Sequence, residues 1–180
     1  MNHCYIDTNV LISQYKPTDP FHQESLSVIK ALKKGEIVGY TSTLTIIEAC
    51  SFVSRNFPVK RGENVEEVMK QAISKLLKDL SNLRLKFADT SGDYSFTMDT
   101  QQVRMPALFQ QALEFTTTRL RTLDLFHLAS VRHLSLSHFD VDAFVTGDSD
   151  FLSKKKELSK IIGMPVLSPK EYVEGLGIGE

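Results

Sequence analysis

The sequence has little of what marks a secreted, membrane-spanning or disulfide-stapled chain. Only two cysteines occur in 180 residues, Cys4 and Cys50, both in apolar surroundings and without a Cys-x-x-Cys spacing. Buried, reduced thiols in a cytoplasmic protein are the expectation. No apolar run approaches the roughly 20 residues of a membrane span. Met1-Asn2-His3-Cys4 lacks the basic start and apolar stretch of a secretory signal. No internal repeat, low-complexity block or domain linker is visible. The net charge is −1, so no global basic field points to nucleic acid. An acidic metal site would subtract charges locally, however, and basic residues could still line its rim. What remains, 42% apolar and 24% charged residues, is the make-up of an ordinary globular chain long enough for one domain with a real core.

The opening stretch Cys4-Tyr5-Ile6-Asp7-Thr8-Asn9 reads as a buried strand that ends on a carboxylate, followed at once by a short helix over Val10–Tyr15. Asp19-Pro20 predicts the start of a helix that runs out at Lys33-Lys34-Gly35. Ile37–Tyr40 is a strand, and Thr41-Ser42-Thr43 caps a helix over Leu44–Val53 that carries Glu48 early. Residues 56–63 read as a loop. Asn64 then caps the clearest helix of the chain, with an apolar stripe from Val65 to Leu80. Leu83–Phe87 alternates like a strand. Residues 88–104 are polar and aperiodic and read as a long loop. Pro106 opens a helix, Thr122 caps another over Leu123–Leu134, and Asp124 falls in its first turn. Asp142–Thr146 is a strand running into Gly147-Asp148-Ser149-Asp150, Pro165–Leu167 a last strand, and Ser168-Pro169 the start of a terminal helical turn. Gly175–Gly179 reads as frayed. Alternating strands and helices predict an α/β fold with a parallel sheet covered on both faces.

Four acids hold unusual positions. Asp7 ends a strand, Asp148 follows another by two residues, and Glu48 and Asp124 lie in early turns of helices that start near a sheet edge. Ligands of open α/β sheets gather outside the carboxyl ends of strands. Crowded carboxylates take up protons unless a cation neutralises them. Oxygen-only ligation suits Mg²⁺ or Mn²⁺, and such a site supports hydrolysis of a phosphate ester. Each acid taken singly is more readily read as a helix or turn cap, and the joint pattern is what points to a site.

The ordered segments Asp7–Ile12, Thr45–Ala49, Leu123–Ala129, Phe144–Phe151 and Gly163–Tyr172 resemble those of PIN-domain proteins nearly end to end. The resemblance implies a three-layer α/β/α PIN-like fold with a central parallel sheet of four or five strands, occupying 1–180 as a single PIN-like domain with 88–105 as a loop insertion. It implies a Mg²⁺- or Mn²⁺-dependent endoribonuclease whose acidic quartet is Asp7, Glu48, Asp124 and Asp148. Asp7, Asp124 and Asp148 would hold metal, and Asp150 would be a fifth acid or a ligand of a second ion. Glu48 would be a ligand or orient the attacking water. Many relatives are VapC-type toxins, which implies an RNA partner, single-stranded or structured, an antitoxin protein and a homodimer. The chain is longer than those toxins tend to be. A stand-alone RNA-processing PIN nuclease and a catalytically silent PIN-fold binding module are therefore the alternatives.

Thr8, Asn9 and Thr146 carry short polar side chains beside the acids, suited to orienting carboxylates, contacting substrate or merely capping. Lys154-Lys155-Lys156, with Lys154 foremost, and Arg119–Arg121 are the candidates for phosphate contact. His127 shares a helix face with Asp124; packing or support of the acids is the reading, because an acid quartet needs no nitrogen ligand. His3, His22, His133 and His138 form no ligand spacing. A receiver-like domain would need an acceptor Asp on a central strand and a late Lys. A haloacid-dehalogenase-like phosphatase would need Asp-x-Asp where the chain has Asp7-Thr8-Asn9.

Overall fold

A computed structural model describes residues 2–88, 91–137 and 139–177; His138 and residues 178–179 of the stretch expected to fray fall outside them, whereas Gly175 and Leu176 of that stretch are helical and Gly177 caps the helix. The chain opens with strand β1 (Asn2–Ile6), helix α1 (Thr8–Ile12) with a 3-10 turn over Ser13–Tyr15, helix α2 (His22–Lys34) and strand β2 (Ile37–Thr41). Helices α3 (Leu44–Asn56) and α4 (Val65–Ser81) lead to the short strand β3 (Lys86–Phe87). An antiparallel pair, β4 (Asp93–Met98) and β5 (Gln101–Pro106), precedes α5 (Ala107–Glu114) and α6 (Thr122–Leu136). The chain closes with β6 (Ala143–Val145), α7 (Ser149–Ser153), α8 (Lys155–Ile162), β7 (Val166–Leu167) and α9 (Pro169–Leu176).

The main sheet has five parallel strands in the order β3-β2-β1-β6-β7. Side chains alternate across a strand, and the two faces of β1 show it. Cys4 and Ile6 join a core with α2, α3, α4 and α9, whereas Tyr5 joins a second core built from α5, α6, α7 and α8. In β6, Ala143 and Val145 face the first core and Phe144 the second. Both strands are buried on both sides, which is why their sequences read as unbroken apolar runs. The result is a three-layer α/β/α fold.

Strand order decides where the site lies. From β1 the chain builds outward through β2 and β3, then returns to build β6 and β7 on the other side. Between β1 and β6 the direction of winding reverses, and the carboxyl ends of those strands border the crevice where such folds take ligands. Asp7 directly follows β1, and Thr146-Gly147-Asp148 directly follows β6.

Local structure departs from expectation at several points: α2 starts at His22 and not at Asp19-Pro20, β3 is confined to Lys86–Phe87, and three further differences are larger. The stretch expected as a loop is mostly the β4–β5 hairpin. Tyr94, Phe96 and Met98 alternate with Asp93, Ser95 and Thr97, and Asp99 turns the chain at φ 56°. No glycine marks that turn, and both strands are largely exposed, so neither the turn nor the burial pattern stands out. The second difference is α7 and α8, which fill a stretch where no helix was expected. Leu158 and Ile162, one turn apart, are fully buried there, and Gly163 ends α8 at φ 77°. Third, α6 starts at Thr122 itself, so Arg121 holds the cap position and Asp124 becomes the third helical residue. From there the Asp124 carboxylate accepts the Arg121 backbone N–H at 3.2 Å.

Candidate active site

Asp7 is buried, 4% exposed, because it follows the central strand without a break. Its backbone N–H donates to the Val145 carbonyl at 3.0 Å, continuing the β1–β6 ladder by one residue. Its Oδ2 accepts from the Thr146 hydroxyl at 2.6 Å and from Asn9 Nδ2 at 2.7 Å. Asn9 Oδ1 in turn accepts the Gly147 N–H at 2.8 Å, and Thr146 Oγ1 accepts the Asp148 N–H at 3.0 Å. A Cβ on Gly147 would meet Asn9 Oδ1 and the Phe21 ring at 3.3 Å each, so a larger residue there would press on the Asn9 side chain that holds Asp7. Of the roles open to Thr146, its full burial and its hydrogen bond to Asp7 match the orienting of a carboxylate.

Glu48 comes from the second turn of α3. Its Oε2 accepts from the Thr8 hydroxyl in a short hydrogen bond and from His127 Nε2 at 2.8 Å. His127 is 1% exposed, and its other nitrogen, Nδ1, lies 2.8 Å from the Tyr5 hydroxyl. Asp7 Oδ1 stands 3.7 Å from His127 Nε2. Asp7, Glu48 and His127 thus place one ligand-type atom each within 4.8 Å of one another. Both ring nitrogens of His127 are engaged in this arrangement, Nδ1 by Tyr5 and Nε2 by Glu48.

Asp124 and Asp148 complete the wall. Arg121 Nε lies 3.3 Å from Asp124 Oδ2, and its terminal nitrogen 2.8 Å from Asp148 Oδ2 and 3.4 Å from Asp150 Oδ2. Asp148 also caps α7 by accepting the Asp150 N–H at 2.7 Å. The four expected acids Asp7, Glu48, Asp124 and Asp148 line one pocket of about 520 Å³ with Thr8 and Asn9. Asp150 does not line it; its side chain is 54% exposed and reaches the cluster through Arg121. Lys154 does not line it either, because its ammonium donates to the Thr118 carbonyl, and Lys155 pairs with Glu171. The cations that do line it, besides Arg121, are Lys16 and Arg55, which the sequence reading passed over. Arg55 has a detectable signal, since it lies seven residues after Glu48 on the same helical stripe.

The electrostatics follow from crowding. Burial pushes the Asp7 carboxyl above its ordinary range; His127 and Thr146 oppose this, while Glu48 and Asp148 add to it. Burial also raises Asp124, against Arg121 and with Asp148 and Asp7. Glu48 goes the other way. Burial would raise it, but the hydrogen bond and charge of His127, with Thr8 and Arg121, bring it below its ordinary value. Burial opposes charge on His127, and Tyr5, Glu48 and Asp7 outweigh it, so His127 is raised well above an ordinary imidazole. Two raised aspartates in one pocket are carboxylates in want of positive charge. Carboxylate oxygens of this kind fit a hard divalent cation; Asp7 and Glu48 place theirs within 4.8 Å of each other, and Asp124 and Asp148 line the same pocket. A family model described as the PIN domain matches residues 4–157. No curated protein matches the chain.

Proposed function

The chain belongs to the PIN-domain family, whose members are metal-dependent nucleases, and on that premise we propose that it is an endoribonuclease using Mg²⁺ or Mn²⁺. The observation that carries the reading is the convergence of Asp7, Glu48, Asp124 and Asp148 on one pocket at the carboxyl ends of β1 and β6. A bound divalent ion supplies charge for the phosphate oxygens and acidifies a bound water. The protein's share is positional. Thr146 and Asn9 fix Asp7 through Oδ2 and leave Oδ1 for the ion. Thr8 and His127 fix Glu48 through Oε2, so Oε1 is the atom left for a water. A carboxylate held below its ordinary value is a weak base, so Glu48 orients the attacking water rather than taking its proton outright. Thr8 and Asn9, at the pocket wall, support the acids first; Asp150 balances Arg121 at the rim.

The biological assignment we propose is the toxin of a VapBC-type pair, held inactive by an antitoxin protein and active as a homodimer. It rests on the likeness of the five sequence segments to those of PIN-domain proteins, many of which are VapC-type toxins. Incubation with labelled RNA and with DNA of the same sequence tests the substrate. RNA cut and DNA spared is the expected outcome, and DNA cut as readily would contradict it. Induced expression tests the toxin role: growth arrests with the parent chain and continues with Asp7→Asn. Unimpaired growth with active parent protein would point to a processing enzyme.

A further inference from the structure

A second groove, of about 480 Å³, lies between α3 and α4 and shares Phe52 with the acidic pocket. Its walls are apolar and aromatic, with Tyr15, Phe52 and Phe57 on one side and Val68 and Leu76 of α4 on the other. Tyr15 is 37% and Phe57 46% exposed, unusual for aromatic rings beside a core. Among the described residues lining it there is no carboxylate, and Lys75 is its one ionic side chain. Asp79, the nearby acid of α4, is engaged by the Tyr15 hydroxyl at 2.7 Å.

Helix α3 joins this groove to the acids. Glu48, Ser51, Phe52 and Arg55 line the acidic pocket, and Phe52 and Asn56 line the groove. These positions are i, i+3, i+4, i+7 and i+8, a single stripe along one face of the helix. At 1.5 Å per residue the stripe from Glu48 to Asn56 covers roughly 12 Å. Cations stand along it: Lys16, whose ammonium lies 4.6 Å from the centre of the Phe52 ring, and Arg55, whose Nε donates to the Ser51 carbonyl. Moving away from the carboxylates, the track passes from cations to flat apolar surface. That order of chemistry suits a single nucleic-acid strand, which offers a phosphate and then a base at each step.

We propose that the groove between α3 and α4 is a subsite for a nucleotide of single-stranded RNA flanking the scissile bond. Lys16 and Arg55 take its phosphate, and Phe57 and Tyr15 receive its base. The proposal rests on the nuclease reading above and extends it to how the strand is held. Base-paired RNA cannot present an unstacked base to the groove, so the substrate is single-stranded at that step. Lys154, held at the Thr118 carbonyl, has no part in it.

The test uses the Asp7→Asn chain, expected to cut RNA too slowly to interfere, and the fluorescence anisotropy of a fluorescein-labelled single-stranded RNA hexamer. Phe57→Ala in that background is expected to weaken binding about fivefold or more. Arg55→Ala is expected to weaken it and to reduce the salt slope by about one. Lys75→Glu serves as a second groove variant, exposed and outside the packed core, and is expected to weaken binding as well. Thermal unfolding of each variant identifies any loss that is one of folding. If the parent chain cuts RNA while Phe57→Ala and Lys75→Glu both bind the hexamer as Asp7→Asn alone does, the groove assignment is wrong and the nuclease reading stands. If those variants instead change the sedimenting mass, the groove belongs to a second copy of the chain and the proposal is likewise overturned. If the parent chain neither cuts nor binds RNA, both readings fail.

Discussion

His127 Nε2 and Glu48 Oε2 are 2.8 Å apart, with His127 at 1% exposure beneath the site and Glu48 at its wall. The pair ties the two cores of the molecule to the candidate chemistry, because Tyr5, which holds the other side of the imidazole, is a residue of β1. Removing the ring would open a buried cavity and leave the Glu48 oxygen with one donor fewer. His127→Ala is therefore expected to cost about 2–4 kcal/mol of stability, as read by urea unfolding. Cleavage should fall further than Tyr5→Phe makes it fall. A stable His127→Ala chain with unchanged activity would show that the ring merely fills space.

Arg121 and a divalent cation draw on the same carboxylates, Asp124 and Asp148. The guanidinium is two-thirds exposed, so each of its ion pairs is worth at most about 1 kcal/mol. Arg121→Ala should accordingly tighten Mn²⁺ binding by about fivefold, measured by electron paramagnetic resonance at low salt. Weaker Mn²⁺ binding in the variant would mean that Arg121 holds the acids in place instead of competing for them.

The quartet was readable from sequence because each acid sits at a punctuation point. Asp7 and Asp148 follow apolar strands, and Glu48 and Asp124 lie in the opening turns of periodic helices. The direction in which a long side chain reaches is a tertiary matter. Lys154 follows Asp148 closely in sequence, yet its ammonium goes to Thr118, across the gap between α7 and the turn before α6. Phe52 and Arg55 carry no functional signal of their own in the sequence, and only the packing of α4 beside α3 makes them part of one track. The β4–β5 hairpin was missed for a different reason. Tyr94, Phe96 and Met98 do alternate with polar neighbours, but the strands stay largely exposed and the turn at Asp99 has no glycine to mark it.

Glu171 provides a pH test away from the site. It pairs with Lys155 and accepts from Ser168 at the start of α9, and these hydrogen bonds hold its carboxyl down at about 2 from an ordinary 4.5. A lowered acid contributes stability that is complete above pH 4.5 and is lost as pH falls toward 2. The side chain is more than a third exposed, so the contribution is screened, to about 1 kcal/mol or less. Glu171→Gln should therefore be less stable than the parent at pH 7, with the gap closing as the pH is lowered through 4 to 3. A gap that stays constant with pH would show that the effect is one of shape and not of charge.

Cys4 offers a chemical check of the first core. Burial pushes its thiol up to about 12, with the neighbouring Tyr172 opposing and Asp142 adding to the rise. At pH 8 iodoacetamide should label the half-buried Cys50 and leave Cys4 untouched until the chain unfolds. Mass spectrometry of the labelled peptides reads the result, and rapid labelling of Cys4 in folded protein would mean that β1 is not buried as described.

The most direct test of the account is to cut a labelled single-stranded RNA and identify the new ends. Purified protein with Mn²⁺ or Mg²⁺ should cleave it with no 2′,3′-cyclic phosphate among the products, because a water and not the ribose hydroxyl attacks the phosphorus. EDTA should stop the reaction, and Asp7→Asn should slow it by at least a hundredfold (an order-of-magnitude figure, roughly that for loss of one charge-stabilising group). Cleavage that persists in EDTA, leaves cyclic phosphate ends or survives Asp7→Asn would contradict the carboxylate-cation mechanism.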